Sequence, residues 1–173
     1  KSNFYTVHPA HWTVKMNKDS FHRYANQITG ISTPRREMWE VLRKTKIFVI
    51  TNILPLTEDH IKSITSMPQW QKNKAFSHLD DNIACQLKPR ITEAAFFKML
   101  MLVKRDPWNA IELFFEPGKE FLYYTEETEL PSMIEDVNKN WDKYKPIVDA
   151  AYTKAMKNYT TEKVLDRMMG ETR

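Results

Sequence analysis

An arginine and a glutamate lie three residues apart where a basic loop, Gln86–Arg90, runs into a predicted helix that starts near Thr92. The planar guanidinium of Arg90 suits phosphate oxygens, and the carboxylate of Glu93 accepts hydrogen bonds from two neighbouring hydroxyls. The amino end of a helix adds backbone N–H donors and a dipole that favours an anion. The sequence therefore predicts a ligand site at this junction, with Lys88 as a further cation.

Both the charged pair and a nearby tryptophan also have structural interpretations. Arg90 and Glu93 stand at helical spacing, so they can pair with each other on a helix surface. Trp108 follows a predicted strand, at the place where ligands of open α/β sheets bind. It is a candidate for stacking on a base or a sugar, although a tryptophan there more commonly covers the edge of the sheet. These alternatives stay open at the level of sequence.

The strands that position these residues are predicted from apolar runs. Met99–Val103 is a continuous apolar run between charged and proline-containing loops, which is typical of a strand buried on both faces. Lys46–Thr51 is β-branched and continuous, which indicates a central strand. Phe121–Tyr124 follows the turn residues Pro117 and Gly118 and is predicted to be a third strand.

Helices are predicted around these strands and dominate the end of the chain. Thr33-Pro34 and Thr57 are helix-start signals, and apolar residues recur at helical spacing in the C-terminal part. The predicted helices are Arg35–Lys44, one from Thr57, Glu126–Asn140, Trp141–Tyr159 and one from Thr160. This order predicts an α/β, Rossmann-like fold with a mostly parallel sheet flanked by helices and a helical C-terminal tail. We expect a single domain over 1–173, with a poorly defined segment 1–34, a strand–helix core 35–125 and C-terminal helices 126–173.

The composition narrows the function classes. Three glycines in 173 residues leave neither a GxGxxG fingerprint nor a P-loop. A net charge of +4 tolerates an anionic ligand but falls short of a dedicated nucleic-acid binder. The single cysteine, Cys85, suits a reducing compartment, and no apolar stretch approaches the ~20 residues of a membrane span. We therefore expect a cytoplasmic protein without a membrane span.

Several short motifs follow one another in the C-terminal half. These are Pro89-Arg90 with Glu93-Ala94, then Phe115–Glu120, Glu129-Leu130 and Asn158–Thr161. In this order they resemble group 1 glycosyltransferases, in the branch related to spore-maturation proteins that phages and bacteria often encode. The resemblance covers roughly Ile83–Met168 and extends weakly back to Leu42–Asn52.

The resemblance implies the donor-binding, C-terminal half of a two-domain GT-B enzyme. A nucleotide-diphosphate sugar would be the donor substrate, without a further cofactor, with Glu93 on the ribose hydroxyls and Arg90 on the diphosphate. Catalysis would require an acceptor-binding domain outside this chain, and the catalytic residues are unassigned. The chain opens on Lys1 rather than methionine, which suits a fragment or a processed product. Two positions depart from the family: Lys98 replaces a usual glycine, and Cys85-Gln86 stand where many members have an earlier glutamate.

Other classes of function remain as alternatives. A nucleic-acid-associated protein would use basic residues with tryptophans as stacking surfaces. A protein-interaction module would use its tryptophans as anchors, and the candidates are Trp39, Trp70, Trp108 and Trp141. A zinc site formed by His8, His11 and His22 is disfavoured, because Pro9 opposes the helical conformation that would align the first two. We expect no metal.

Overall fold

The computed structural model describes residues 35–69, 71, 77–78, 81–87 and 90–170. The chain forms two compact units, residues 1–45 and 46–173. In the first unit, the described residues contain helix α1 (Arg35–Lys44), at the position that the sequence predicts. All the described strands lie in the second unit.

The second unit combines strands and helices and ends in helices. Its strands are β1 (Ile47–Ile50), β2 (Ile53–Pro55), β3 (Ser77–His78), β4 (Ile83–Cys85), β5 (Leu100–Lys104) and β6 (Leu122–Tyr124). Its helices are α2 (Glu58–Ser66), α3 (Arg90–Phe96), α4 (Leu130–Lys139), α5 (Trp141–Asn158) and α6 (Thr161–Gly170), with 3-10 turns at Ala110–Leu113 and Glu127–Glu129. The predicted α/β class is confirmed, with a parallel sheet flanked by helices and a helical C-terminal end.

The parallel sheet is built around β5. Strands β1 and β6 flank it in parallel, with Ile50 opposite Val103 and Leu102 opposite Leu122. Every side chain from Met99 to Val103 is at most 1% exposed, so both faces of β5 are covered, as its apolar run predicts. Among the described strands, β1 pairs only with β5. The central place that the sequence predicts for β1 therefore belongs to β5 in the described sheet.

A second, antiparallel sheet has the order β2–β4–β3. Ile53 lies opposite Cys85, and Pro55 lies opposite Ile83. The sequence does not predict this sheet, because strands of two or three residues are too short to show an alternating pattern. The pairing brings Cys85 beside the segment that leaves β1.

Helices α4 and α5 pack on one face of the parallel sheet. The buried cluster between them and the sheet contains Leu100, Leu102, Tyr124, Val137, Tyr144 and Val148. Burying one large apolar side chain stabilises a fold by about 1.5–3 kcal/mol, so this cluster is a main source of stability. The apolar stripes of α4 and α5 are therefore core, as predicted from their helical spacing.

A left-handed turn at Lys98 joins α3 to β5. The φ angle of Lys98 is 54°. Its N–H donates to the carbonyl oxygen of Ala95 at 3.1 Å, and the N–H of Met99 donates to that of Ala94 at 3.0 Å. These two bonds form the Schellman arrangement, whose left-handed residue is usually glycine. The turn thus suits glycine, and lysine adopts it at a conformational cost.

The segment before β6 is fixed to α5. Lys154 Nζ lies 2.7 Å from Glu120 Oε2, in an ion pair whose glutamate side chain is only 8% exposed. The same oxygen accepts the backbone N–H of Glu116 at 2.7 Å. The hydroxyl of Tyr159 donates to the carbonyl oxygen of Phe114 at 2.9 Å. These bonds hold the chain that enters β6 against the last turns of α5.

Candidate functional site

The carboxyl ends of β1, β5 and β6 lie at one edge of the parallel sheet, because all three strands run in the same direction. Polar residues follow each strand directly: Thr51-Asn52 after β1, Arg105-Asp106 after β5 and Thr125-Glu126 after β6. We call these three segments the carboxyl edge. Ligands of open α/β sheets bind at such an edge, so the carboxyl edge is the candidate site.

Asn52 and Asp106 are buried at the carboxyl edge, with 0% and 3% of their surfaces exposed. The backbone oxygen of Asn52 accepts the N–H of Gln86 at 2.7 Å, a bond that leaves its side chain unused. Oδ1 of Asp106 accepts the N–H groups of Trp108 at 3.0 Å and Ala110 at 3.2 Å. In the part of the chain that the structure describes, both polar atoms of the Asn52 amide and Oδ2 of Asp106 have no hydrogen-bond partner.

Cys85 lies next to the segment that contains Asn52. It pairs across the antiparallel sheet with Ile53, the residue that follows Asn52. Burial, and second the negative charge of Asp106, raise the pKa of the Cys85 thiol, which places the thiol within the field of that carboxylate. A thiol whose pKa is raised stays protonated near neutral pH and is a poor nucleophile. Cys85 therefore does not supply a reactive group. Asn52 and Asp106 follow neighbouring strands, two residues after Ile50 and three residues after Val103, which are paired.

Helix α3 carries two of the predicted site residues towards this edge. It begins at Arg90, two residues before the predicted start. Its carboxyl end leads through Lys98 into the amino end of β5, against which the helix packs. Its seven residues rise by about 10 Å, so its first turn lies back along β5 towards the carboxyl edge.

The first turn of α3 exposes Arg90 and Glu93, whereas Ile91 and Ala94 are buried. Among the described side chains, no ion pair joins Arg90 to Glu93. The surface pair that the sequence left open is therefore not formed. Lys88, the third predicted residue of this loop, lies outside the described residues.

Arg105 adds a second exposed guanidinium to the carboxyl edge. Its guanidinium carbon lies 4.2 Å from the centre of the Tyr123 ring. The Tyr123 hydroxyl donates to Glu112 at 3.0 Å. Burial, and then this hydrogen bond, raise the pKa of the Tyr123 phenol well above its ordinary value. Tyr123 therefore stays neutral and provides a flat surface on which the arginine rests.

Trp108 lies just past the end of β5, where the sequence predicts it, and its side chain is half-buried. The turn that carries it is shaped by Asp106, which accepts the Trp108 N–H, and by Asn109, whose φ is 47° in the left-handed region. Trp108 thus lies next to the Arg105-Asp106 segment of the carboxyl edge. Its two predicted roles, stacking on a ligand and covering the sheet, both stay predictions.

The sequence offered only a weak signal for Asn52, Asp106 and Arg105. Each stands within two residues of the end of a strand, which is where an open α/β sheet presents its binding groups. Polar residues in such places are ordinary loop residues in most proteins. What distinguishes Asn52 and Asp106 is burial without partners, a property that depends on the packing of several elements.

Two open depressions lie along α5 and α6 rather than at the carboxyl edge. One, of about 500 Å³, is lined by exposed residues such as Lys157 and Arg167. The other, of about 470 Å³, is lined by residues such as Lys119 and Asp149. Several of their ionic side chains already form ion pairs, as in the Lys154–Glu120 pair. The buried polar atoms that lack a partner in the described chain belong to Asn52 and Asp106, so the carboxyl edge is the better candidate.

Two further expectations concern metals and membranes. The histidines His8, His11 and His22 lie outside the described residues. Where the chain is described, no three metal-ligating side chains come together. In the same ranges, no helix combines the length and the apolar character that crossing a membrane requires.

Comparison with known proteins gives one match. A family model described as glycosyl transferase-like matches residues 4–170. No curated protein and no solved structure matches the chain significantly. The matched residues include the carboxyl edge and the first turn of α3.

Proposed function

The chain belongs to the glycosyl transferase-like family, and on that premise we propose that it binds a nucleotide-diphosphate sugar as the donor for glycosyl transfer. In this proposal it is the donor-binding half of a GT-B enzyme of the spore-maturation-related branch. The diphosphate lies at Arg90 and the ribose hydroxyls lie at Glu93. Lys88 and Trp108 serve as a further cation and a stacking surface.

The observation that carries this proposal is that Arg90 and Glu93 are exposed on the first turn of α3 and, within the described chain, make no ion pair with each other. A surface pair at this spacing contributes only about 0.2–0.5 kcal/mol to a helix, so its absence costs the fold little. Both side chains keep their full hydrogen-bonding capacity for a ligand. An arginine and a carboxylate in this state suit the two halves of a nucleoside diphosphate.

Glycosyl transfer gives the positive charge at the edge a role in the reaction. The bond between the anomeric carbon and the β-phosphate oxygen breaks, a bond forms from that carbon to an acceptor oxygen, and the acceptor oxygen loses its proton. The nucleoside diphosphate leaves with additional negative charge. Guanidinium groups stabilise such a charge with parallel N–H bonds. Arg90 and Arg105 are the residues that we assign to this task, and the base that takes the proton is left unassigned.

Titration calorimetry tests the proposal with UDP, GDP, ADP and dTDP and with the glucose conjugate of each. We expect saturable binding of one nucleotide. The double variant Arg90→Ala/Glu93→Ala should weaken that binding by about a hundredfold to ten-thousandfold, because each of the two lost charged hydrogen bonds contributes about 1.5–3 kcal/mol. The matched control is Glu135→Ala/Lys139→Ala, which removes an exposed ion pair of α4 and leaves the net charge equally unchanged.

The outcomes separate the proposal from its alternatives. Equal weakening by the control would mean that the loss reflects general electrostatics. An absence of binding to every nucleotide and conjugate would refute the proposal. Tight, salt-dependent binding to DNA or RNA in its place would favour the nucleic-acid alternative, because phosphate-backbone contacts weaken steeply with salt.

A further inference from the structure

Three polar atoms at the carboxyl edge are buried and, within the described chain, lack hydrogen-bond partners: Nδ2 and Oδ1 of Asn52 and Oδ2 of Asp106. A polar atom buried in this state destabilises a fold, because it has lost its hydrogen bonds to water. Native structures contain few such atoms, and each calls for an explanation. Two such side chains after the ends of the paired strands β1 and β5 indicate a group of atoms kept for a ligand rather than for the fold.

The chemistry of these atoms defines what they bind. The Asn52 amide offers one acceptor and two N–H donors, and Oδ2 of Asp106 offers an acceptor. A carboxylate repels a phosphate, so the diphosphate does not lie here. The complementary group is uncharged and carries O–H or N–H donors together with an acceptor. Sugar hydroxyls and the edge of a nucleobase both meet this description.

We propose that Asn52 and Asp106 together bind the uncharged, hydrogen-bonding part of the donor, while the arginines hold its charged part. This inference rests on the proposed function, since it names which part of the nucleotide sugar each half of the carboxyl edge recognises. Oδ1 of Asp106 holds the turn at Trp108 and Ala110, which leaves Oδ2 as the atom that faces the ligand. Oδ1 of this carboxylate thus has a structural role, and Oδ2 binds the ligand.

Access to these atoms requires a local movement, because both side chains are closed to solvent. Asn52 and Asp106 follow the ends of their strands and lie in connecting segments. Connections open at lower free energy than the strands of a core. Ligand binding therefore satisfies three buried atoms at the expense of a loop adjustment, and it leaves β5 and its packing unchanged.

Two variants test the inference on the full chain. Asn52→Leu keeps the branched shape of the side chain, with a methyl group in place of each unpaired atom of the amide. Replacing an unpaired buried polar group by an apolar one is neutral or stabilising, so we expect an unchanged or higher melting temperature without ligand. Asp106→Asn keeps the oxygen that accepts the two backbone N–H groups and removes the free acceptor. Each variant should bind the nucleotide sugar about tenfold or more weakly, whereas the exposed control Asn138→Leu should bind it normally.

The arms of the titration distinguish the source of the recognised group. Weakened binding of the glucose conjugate alone, with unchanged binding of the parent nucleoside diphosphate, assigns the pair to the sugar hydroxyls. Equal weakening for both assigns it to the nucleoside. Either result supports the inference.

Three results would overturn it. Unchanged affinity in both variants means that the pair does not touch the donor, even if the wild-type chain binds well. A lower melting temperature or loss of folding in Asn52→Leu means that the fold itself uses the amide. If the wild-type chain binds no conjugate, the proposed function fails first and this inference falls with it.

Discussion

Replacing Lys98 by glycine or by alanine should give two proteins of clearly different stability, with glycine the more stable. Both changes remove the lysine head group, which lies 3.3 Å from Asp149 Oδ1 and 4.5 Å from the centre of the Tyr152 ring. Because both lose the same contacts, their difference reports only the backbone at φ 54°. The left-handed conformation costs a residue with a Cβ about 1–2 kcal/mol. The greater freedom of glycine in the unfolded chain offsets about 0.4–1 kcal/mol of this cost. The free energy of unfolding of Lys98→Gly should therefore exceed that of Lys98→Ala by about 1 kcal/mol.

Urea unfolding followed by tryptophan fluorescence measures this difference. With a slope of about 1–3 kcal/mol per molar urea, 1 kcal/mol shifts the midpoint by about 0.3–1 M. The matched control compares glycine and alanine at Thr153, which is exposed in the middle of α5. There the alanine variant should be the more stable by about 1 kcal/mol. The difference between the glycine and alanine variants thus has opposite signs at the two sites. If Lys98→Ala is as stable as Lys98→Gly, or more so, the left-handed turn is not the source of the preference for glycine, and the reasoning is wrong.

Three other changes follow from the described contacts. Lys154→Met should lower the free energy of unfolding by about 3 kcal/mol, because it leaves Glu120 buried and unpaired. This is the low end of the range for buried ion pairs, since the lysine is partly exposed. Gly118→Ala should cost about 1 kcal/mol in the same assay, because the φ of Gly118 is 76° and no atom lies within 4 Å of the added carbon. The hydrogen bond from Tyr144 holds the pKa of Asp136 below its ordinary value. Asp136 therefore stabilises the fold above about pH 4, and this contribution is lost as the pH falls through its folded pKa; Asp136→Asn should flatten the acid side of the melting profile.

Each of these predictions has a control in the same chain. Lys145→Met breaks an exposed ion pair and should cost the fold far less than Lys154→Met does. Gly170→Ala adds a carbon with equal space but ordinary backbone angles, so no loss is expected. Glu135 is exposed on the same helix as Asp136, and its pKa is also lowered, by Lys139. If Asp136→Asn keeps the full loss of stability at acid pH and Glu135→Gln reduces it, Glu135 is the source of the pH dependence and the prediction for Asp136 is wrong.

The apolar pattern was enough to place the parallel strands and the C-terminal helices of the second unit, although not its short antiparallel strands. Met99–Val103 was predicted to be buried on both faces, and its side chains are at most 1% exposed. The helical spacing of Tyr144 and Val148 likewise predicted the buried face of α5. These features are local: they follow from the period of apolar residues, which one strand or helix carries by itself. The order of the strands is not local, and for that reason the central place of β5 was not predicted.

The sequence by itself also determined the class of candidate chemistry at Arg90, Glu93 and Trp108, because residue types and their spacing state which groups a ligand can meet. Only the tertiary structure decided that Arg90 and Glu93 do not pair. It also decided that Asn52 and Asp106 are buried at one edge of the sheet, with polar atoms that lack partners in the described chain. The physical reason is that the burial and the hydrogen bonding of a side chain depend on the elements packed around it. They depend on how β1, β4 and β5, which are distant along the chain, come together at one edge.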